Sequence, residues 1–429
     1  MKNWKIEGAV DAKGAAVTIF IEDGILVEKL STSDYQVINA QGLSVLPGFV
    51  DLHTHVREPG REDAETVLSG SQSAVAGGFT AISAMPNTLP VADTAGVVEQ
   101  VFRLGEAHGL CDVFPIGAVT VGQAGEQLAE LLAMNQSEAK VRIFSDDGHC
   151  VADPLVMRRA LEYVKTFDGV IAQHAQDPRL TENAQMNEGE VSARLGLKGW
   201  PAVAEEAIIA RDVLLAEHVD SRLHICHLTT AGGVEIIRAA KKRGVKVTAE
   251  VTPHHLLLTD ERAESYDPVF KVNPPLRTTT DVMALREGLA DGTIDIVATD
   301  HAPHPHEAKD CEWSAAAFGM VGLETAFSIC YLTMIESGLI DLPTLIERIS
   351  IKPAEIGRYE GQGQIRVGNP ANLVLVDLRA RWTVERDQLH SKSKNTPFDG
   401  MELPAVIEKT FHNGALVYEN SDSRGGVKK

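Results

Sequence analysis

The sequence predicts an α/β protein: a (βα)8 TIM-type barrel over residues 46–355, with a small β-sandwich domain formed by both chain ends, 1–45 plus 356–429. Three observations carry this expectation. Short apolar, β-branched runs alternate with longer stretches rich in Ala, Leu, Glu and Arg through the middle of the chain. Both ends are instead rich in strand-forming residues. Histidines and aspartates recur where the apolar runs stop, and in a parallel barrel those carboxyl ends meet on one face.

The runs read as strands are 44–53, 80–85, 112–119, 141–145, 169–174, 222–227, 245–251 and 294–299. Helices are expected at 64–76, 94–108, 154–166, 203–217, 231–243 and 281–290. Eight strands alternating with helices is the order of a barrel, although an open doubly wound sheet would alternate in the same way. In the terminal regions, 18–21, 25–27, 372–377 and 410–418 are the clearest strands, and 422–429 reads as a loose tail.

Composition narrows the function. The chain has 429 residues, 44% of them hydrophobic, and a formal charge of −20. Nucleic-acid binding needs a basic face, so it is not expected. A small anionic substrate stays compatible, because local cations can dominate a site inside an acidic protein. There is no signal-peptide core and no apolar run of membrane-spanning length. Five scattered cysteines without a C-x-x-C pair fit reduced, buried thiols, and a cytoplasmic protein is expected.

The chemistry begins at His53-Thr54-His55, which ends the first apolar run. Residues two apart on a strand point the same way, so both imidazoles could hold one ion. Alone this is a weak signal. It gains weight because Asp147, His174, His227 and Asp300 stand at four further strand ends. Four imidazoles and two carboxylates suit one or two borderline divalent ions, with Zn2+ the first choice. Asp146 is as good a ligand as Asp147 by position alone. Arg57 follows His55 by two and suits a substrate carboxylate, through the bidentate fork of its guanidinium; a rim salt bridge is its bland alternative.

These residues lie in stretches that resemble the amidohydrolase superfamily, and within it the bacterial type I dihydroorotases. The resemblance covers nearly the whole chain. It is carried by Pro47 through Gly60, Met85-Pro86-Asn87-Thr88, Phe144-Ser145-Asp146-Asp147-Gly148, Val272-Asn273-Pro274-Pro275-Leu276-Arg277, Ala298 through His304, and Ser391-Lys392-Ser393-Lys394-Asn395-Thr396-Pro397. It implies reversible interconversion of L-dihydroorotate and N-carbamoyl-L-aspartate in pyrimidine biosynthesis, by a metal-bridging hydroxide. It places one ion on His53, His55 and Asp300 and a second on His174 and His227. Asp147 would bridge them where hydantoinases use a carboxylated lysine, and Asp146 would support it. Asp300 would be the proton shuttle. Arg57, Asn87 and His304 would hold the substrate carboxylate, and Asn273 with the backbone of Phe318-Gly319 would meet the ring's amide edges.

Other histidines take bland readings. His254, His255 and His301 are expected to pack or support ligands, and His149 lies in a loop with Cys150. His224 precedes His227 by three and should face the other way. Asn372 stands where the superfamily usually has Asp, and only a structural consequence is expected. The competing functions are an allantoinase or hydantoinase-like hydrolase, and a non-catalytic subunit scaffolding aspartate carbamoyltransferase. The first leaves Arg57, Asn87 and His304 without a carboxylate; the second has no need of a complete ligand set. The resemblance also admits a working complex with that transferase and homo-oligomers.

Overall fold

The computed structural model describes residues 2–420; the tail expected at 422–429 lies outside them. The chain opens with five strands: β1 (Trp4–Val10), β2 (Ala16–Glu22), β3 (Ile25–Val27), β4 (Gln36–Asn39) and β5 (Ser44–Pro47). A βα alternation follows: β6 (Phe49–Thr54), α1 (Val67–Ala76), β7 (Phe79–Ala84), α2 (Ala95–His108), β8 (Asp112–Pro115), α3 (Leu131–Gln136), β9 (Ile143–Phe144), α4 (Pro154–Lys165) and β10 (Val170–Gln173). The short pair β11 (Met186–Asn187) and β12 (Gly199–Trp200) brackets α5 (Glu190–Leu195). Then come α6 (Val203–Val219), β13 (Arg222–Ile225), α7 (Ala231–Lys242), β14 (Val247–Val251), α8 (Thr279–Asp291) and β15 (Ile296–Val297). After a further helical stretch the chain closes with β16 (Leu373–Thr383), β17 (Glu402–His412) and β18 (Ala415–Glu419). Among the described residues no helix is long and apolar enough to cross a membrane.

Local chemistry sets several boundaries. Thr66 and Ser69 form a reciprocal cap on α1, and Thr278 and Asp281 do the same on α8. Asp153 caps α4 through the amides of Leu155 and Val156, with Pro154 in the first turn.

The expected strand at 44–53 is two strands. Gly48 lies between them, at a point where a β-carbon would be 2.2 Å from the Thr80 side chain. β5 pairs antiparallel with β16, whereas β6 pairs parallel with β7. The boundary expected at 45/46 therefore falls inside β5. The strand expected at 410–418 is likewise divided, at Asn413-Gly414, where positive φ angles turn the chain between β17 and β18. Asn372 has a structural place here: its side chain bonds the Gly361 carbonyl and the Asn413 amide.

The terminal strands join in one hydrogen-bonded sheet, β18-β17-β16-β5-β1-β2-β3, with β4 on β1. Eight parallel strands form two sheets, β6-β7-β8 and β15-β14-β13-β10-β9, and the short parallel pair β11-β12 stands apart. Parallel bridges Gly117–Phe144 and Thr54–His301 connect these two sheets at both of their edges. Val50, Leu52, Ala81, Ile143, Val170, Ala172 and Ile296 share one apolar cluster, while the alternate residues Ile82, Phe144, Ile171 and Val297 join the cluster that includes the helices. Ile356 and Tyr359, expected in the terminal domain, pack into the first cluster instead. The β16–β17 connection also crosses back, burying Val384, Leu389 and Phe398 against Leu258, Val272 and Met320.

Candidate active site

The strand ends bring the six expected ligand residues into one buried cluster. Asp147 stands at its centre. Its Oδ2 lies 3.4 Å from Nε2 of His53 and 3.4 Å from Nε2 of His55. Its Oδ1 lies 3.2 Å from Nδ1 of His174 and 3.1 Å from Nε2 of His227. Asp300 completes the first half, with Oδ1 3.2 Å from His55 and 3.4 Å from His53. Asp146 points elsewhere: it accepts from the amides of Val119 and Thr120 and from the Thr120 hydroxyl. The two neighbouring aspartates thus have different surroundings, one among imidazoles and the other tied to the segment after β8.

The arrangement fits divalent cations. His53, His55 and Asp147 form one ligand-competent group, and Asp147, His174 and His227 another, with ligand atoms within 4.8 Å of one another in each. Nε2 of His53 is buried and has no hydrogen-bond partner. Burial alone would lower the basicity of His53, yet Asp147, Glu250 and Asp300 together raise it well above the usual range. Burial would raise Asp300, but the charges and bonds of His53 and His55 bring it down to about 2. Asp147 is likewise held well below the carboxylate range, by His53, His174 and His227 against its burial. The cluster therefore favours positive charge at its centre, a demand that a divalent cation satisfies.

The supporting residues include several that sequence reasoning missed. Glu250, on β14, accepts from Nδ1 of His53 at 2.6 Å, from Nε2 of His224 at 2.9 Å and from the His227 amide at 3.1 Å. His224 is therefore a support for the cluster, not an idle outward residue. Gln176 Oε1 takes the other ring nitrogen of His174 at 2.7 Å. Asp51 joins β6 to the end of β15 by accepting from the Thr299 amide and hydroxyl and from Thr54. A carboxylate inside an apolar strand, as at Asp51 and Glu250, was the legible signal, because such a group is retained only when paired. His255 bonds Thr252 and the Pro274 carbonyl, and His301 bonds Glu65. Burial lowers His254 to about 4.

Backbone conformation marks the same places. His227, Asp300 and Arg57 have φ angles of 28°, 45° and 61°, a region L-residues rarely occupy.

The expected substrate residues gather around one side of the cluster. Arg57 is buried, and its Nε donates to the Pro303 carbonyl at 3.2 Å. It has no carboxylate within ion-pair distance among the described residues, and burial lowers it to about 10. Asn87 accepts from Nδ1 of His55 at 2.9 Å, so this expected carboxylate partner also orients an expected ligand. His304 donates from Nε2 to the Phe318 carbonyl at 2.7 Å; burial, then the charges of Arg57 and Lys309, lower it to about 3. That bond uses one lone pair of the Phe318 carbonyl, part of the Phe318-Gly319 backbone expected to meet the ring's amide edges. Gly319, at φ 141°, lies so close that a β-carbon would sit 2.8 Å from Ala302 Cβ and from His304 Nε2. Asn273 donates to Gln176 at 3.4 Å and leaves its Oδ1 buried without a donor.

A buried set of imidazoles and aspartates at the ends of parallel strands, beside a guanidinium with no ion-pair partner among the described residues, is the arrangement expected of an amidohydrolase. Comparisons with known proteins agree. A family model described as Dihydro-orotase-like matches residues 42–232. The chain is 63% identical to the Dihydroorotase of Streptomyces coelicolor over 419 residues, which is 96% of this chain and 98% of that protein. It is 52% identical to the Dihydroorotase of Mycobacterium tuberculosis over 417 residues, 96% and 97% of the two chains. Among solved structures it is similar to an L-hydantoinase (dihydropyrimidinase) from Arthrobacter aurescens, with a TM-score of 0.86, 27% identity, and 98% and 96% of the chains covered. The chain belongs to the dihydroorotase family.

Proposed function

We propose that the enzyme interconverts L-dihydroorotate and N-carbamoyl-L-aspartate, with two zinc ions held at the cluster. The observation that carries the substrate is Arg57: a buried guanidinium with no acidic partner among the described residues, next to His55 and His304. Such a charge calls for an anion, and dihydroorotate supplies a carboxylate. A hydantoin ring without a carboxylate leaves it unmatched.

His53, His55 and Asp300 would hold one ion, His174 and His227 the other, and Asp147 would reach both with separate oxygens. Bound cations would supply the Lewis acidity that lowers the pKa of water to about 7 and polarises an amide carbonyl. Asp300, ionised at neutral pH, takes the proton of the attacking water and delivers it to the departing ring nitrogen. The ring C–N bond breaks as the carboxyl group of carbamoyl aspartate forms, and the same groups run the cyclisation in reverse. Asn273 Oδ1, an acceptor lacking a donor, suits a ring N–H. Arg57 and the amide nitrogen of Asn87 hold the carboxylate, and His304, whose Nε2–H is used on the Phe318 carbonyl, joins them only where Nδ1 is protonated; Gly319 lets the chain approach the ring.

The same reading closes the eight parallel strands into a barrel, supported by the bridges that join the two parallel sheets at both edges. The terminal sheet is then a domain built from both chain ends. Five free thiols support a cytoplasmic location. The test of the mechanism is Asp300→Asn: turnover should fall at least ~10²-fold from loss of acid–base catalysis. Near-normal turnover at full zinc occupancy would remove the shuttle role.

A further inference from the structure

The stretch 391–397 lies far along the chain from every proposed ligand and touches none of them in sequence. It belongs to the connection between β16 and β17, and its hydrogen bonds run to the loops that carry Glu65, Ala302, His304 and Gly319. We propose that Asn395, within it, is a positioning residue that sets the carboxylate-recognising edge of the active site. The inference rests on the dihydroorotase reading above.

The Asn395 amide group uses both its donors and one acceptor site on two loops. Its Nδ2 donates to the Ala302 carbonyl at 3.0 Å and to the Gly319 carbonyl at 3.2 Å. Its Oδ1 accepts from the His304 amide at 3.2 Å. Ala302 and His304 flank Pro303, whose carbonyl receives the Arg57 Nε. One side chain therefore fixes the backbone on both sides of the group that orients Arg57. It also fixes His304 directly, and it holds Gly319 against the His304 ring, whose Nε2 bonds the adjoining Phe318 carbonyl.

The stretch is anchored at its other end as well. The Ser391 hydroxyl and the Lys392 amide donate to Glu65, and the Ser393 hydroxyl donates to the Ala64 carbonyl at 2.7 Å. It thus ties the loop after Arg57 to the loop after Asp300 and sets their separation. Only an amide of this length suits position 395. Asp lacks the two donors, and Gln carries the group one methylene further. Asn395 itself is buried and makes no bond to the ligand cluster. Its effect should therefore fall on substrate recognition and leave the metals in place.

The experiment is steady-state kinetics of the zinc-loaded variants Asn395→Ala and Asn395→Asp on L-dihydroorotate, with zinc content measured on the same samples. KM should rise at least ~10-fold while kcat stays within about 3-fold, the signature of lost binding common to ground and transition states. Zinc content should match wild type. The double variant Arg57→Met/Asn395→Ala should be little worse than Arg57→Met alone, because the two residues act on one interaction. If Asn395→Ala does not fold, Asn395→Asp, which keeps the shape and the acceptor, carries the test. An unchanged KM, additive losses in the double variant, or a fall in kcat and zinc content without a KM effect would each overturn the proposal. Wild-type protein inactive on dihydroorotate would instead overturn the functional reading beneath it.

Discussion

Oε1 of Glu250 lies 2.6 Å from Nδ1 of His53, the ring nitrogen opposite the one that faces Asp147 and Asp300. The carboxylate accepts the hydrogen bond of Nδ1–H and so turns Nε2 to the cluster as the nitrogen whose lone pair a cation would take. The same Glu250 oxygen holds the amide of His227, so both halves of the cluster depend on it. Glu250→Gln should weaken zinc binding by about 10–100-fold, the usual effect of losing such a support. Chelator competition on the purified variant measures this, and an unchanged affinity would remove the role.

Asp147 already carries the anionic oxygens that a lysine must acquire from carbon dioxide. Lys140, the nearest upstream lysine, is exposed and precedes β9, away from the carboxyl ends where the ligands gather. Metal-stripped protein should therefore regain full activity with zinc alone, with no gain from bicarbonate. Lys140→Ala should stay active and Asp147→Ala should lose nearly all turnover, with Asp146→Ala less affected. A bicarbonate requirement that disappears with Lys140 would contradict the aspartate bridge.

Replacing Arg57 by Met keeps much of the stem and removes the fork. The loss in kcat/KM should be on the order of 2–5 kcal/mol in both reaction directions, as for a desolvated ion pair. A substrate analogue without the carboxylate should react poorly with wild type and be little changed by the substitution.

Asp212 offers a pH test away from the ligands. Burial raises it to about 6, against the favourable charge of Arg211 and the bond from Gln173. Between the unfolded value near 4 and about 6, the folded state binds more protons than the unfolded one, so stability from this group falls as pH rises through that window. Asp212→Asn should consequently stabilise the protein above pH 6, by up to ~3 kcal/mol, and the gain should vanish toward pH 4. Thermal melting of both proteins across this range is the measurement. A variant less stable than wild type at pH 7 would contradict the assignment.

Much of this was legible in the sequence. Each of the eight apolar runs contains a parallel strand, because β-branched stretches bounded by turns admit few other structures. The His-x-His spacing and the strand-end positions point to one cluster, and these six side chains do meet in one. Asp146 and Asp147 could not be told apart by position, since adjacent residues differ only in which way the backbone turns them. The break at Gly48 is easily passed over because the run continues on both sides of it, although Pro47-Gly48 is a pair that often interrupts a strand. Glu250 stands out only as a carboxylate inside an apolar strand, and Gln176 carries no signal; the partners of both come from strands and loops distant in sequence. The clean division into terminal and central domains also fails at 356–359 and 391–395. There the chain returns to fill the strand core and to hold the site, contacts that no local pattern records.

The most direct measurement is ring opening by zinc-reconstituted protein on three substrates side by side: L-dihydroorotate, the same ring without its carboxylate, and hydantoin. Dihydroorotate should be preferred by at least ~10² in kcat/KM, because a site built around a buried Arg rejects a ligand that leaves it unpaired. Activity should vanish on chelation and return with zinc. Equal or faster opening of the carboxylate-free rings, or undiminished turnover by metal-free protein, would contradict the assignment.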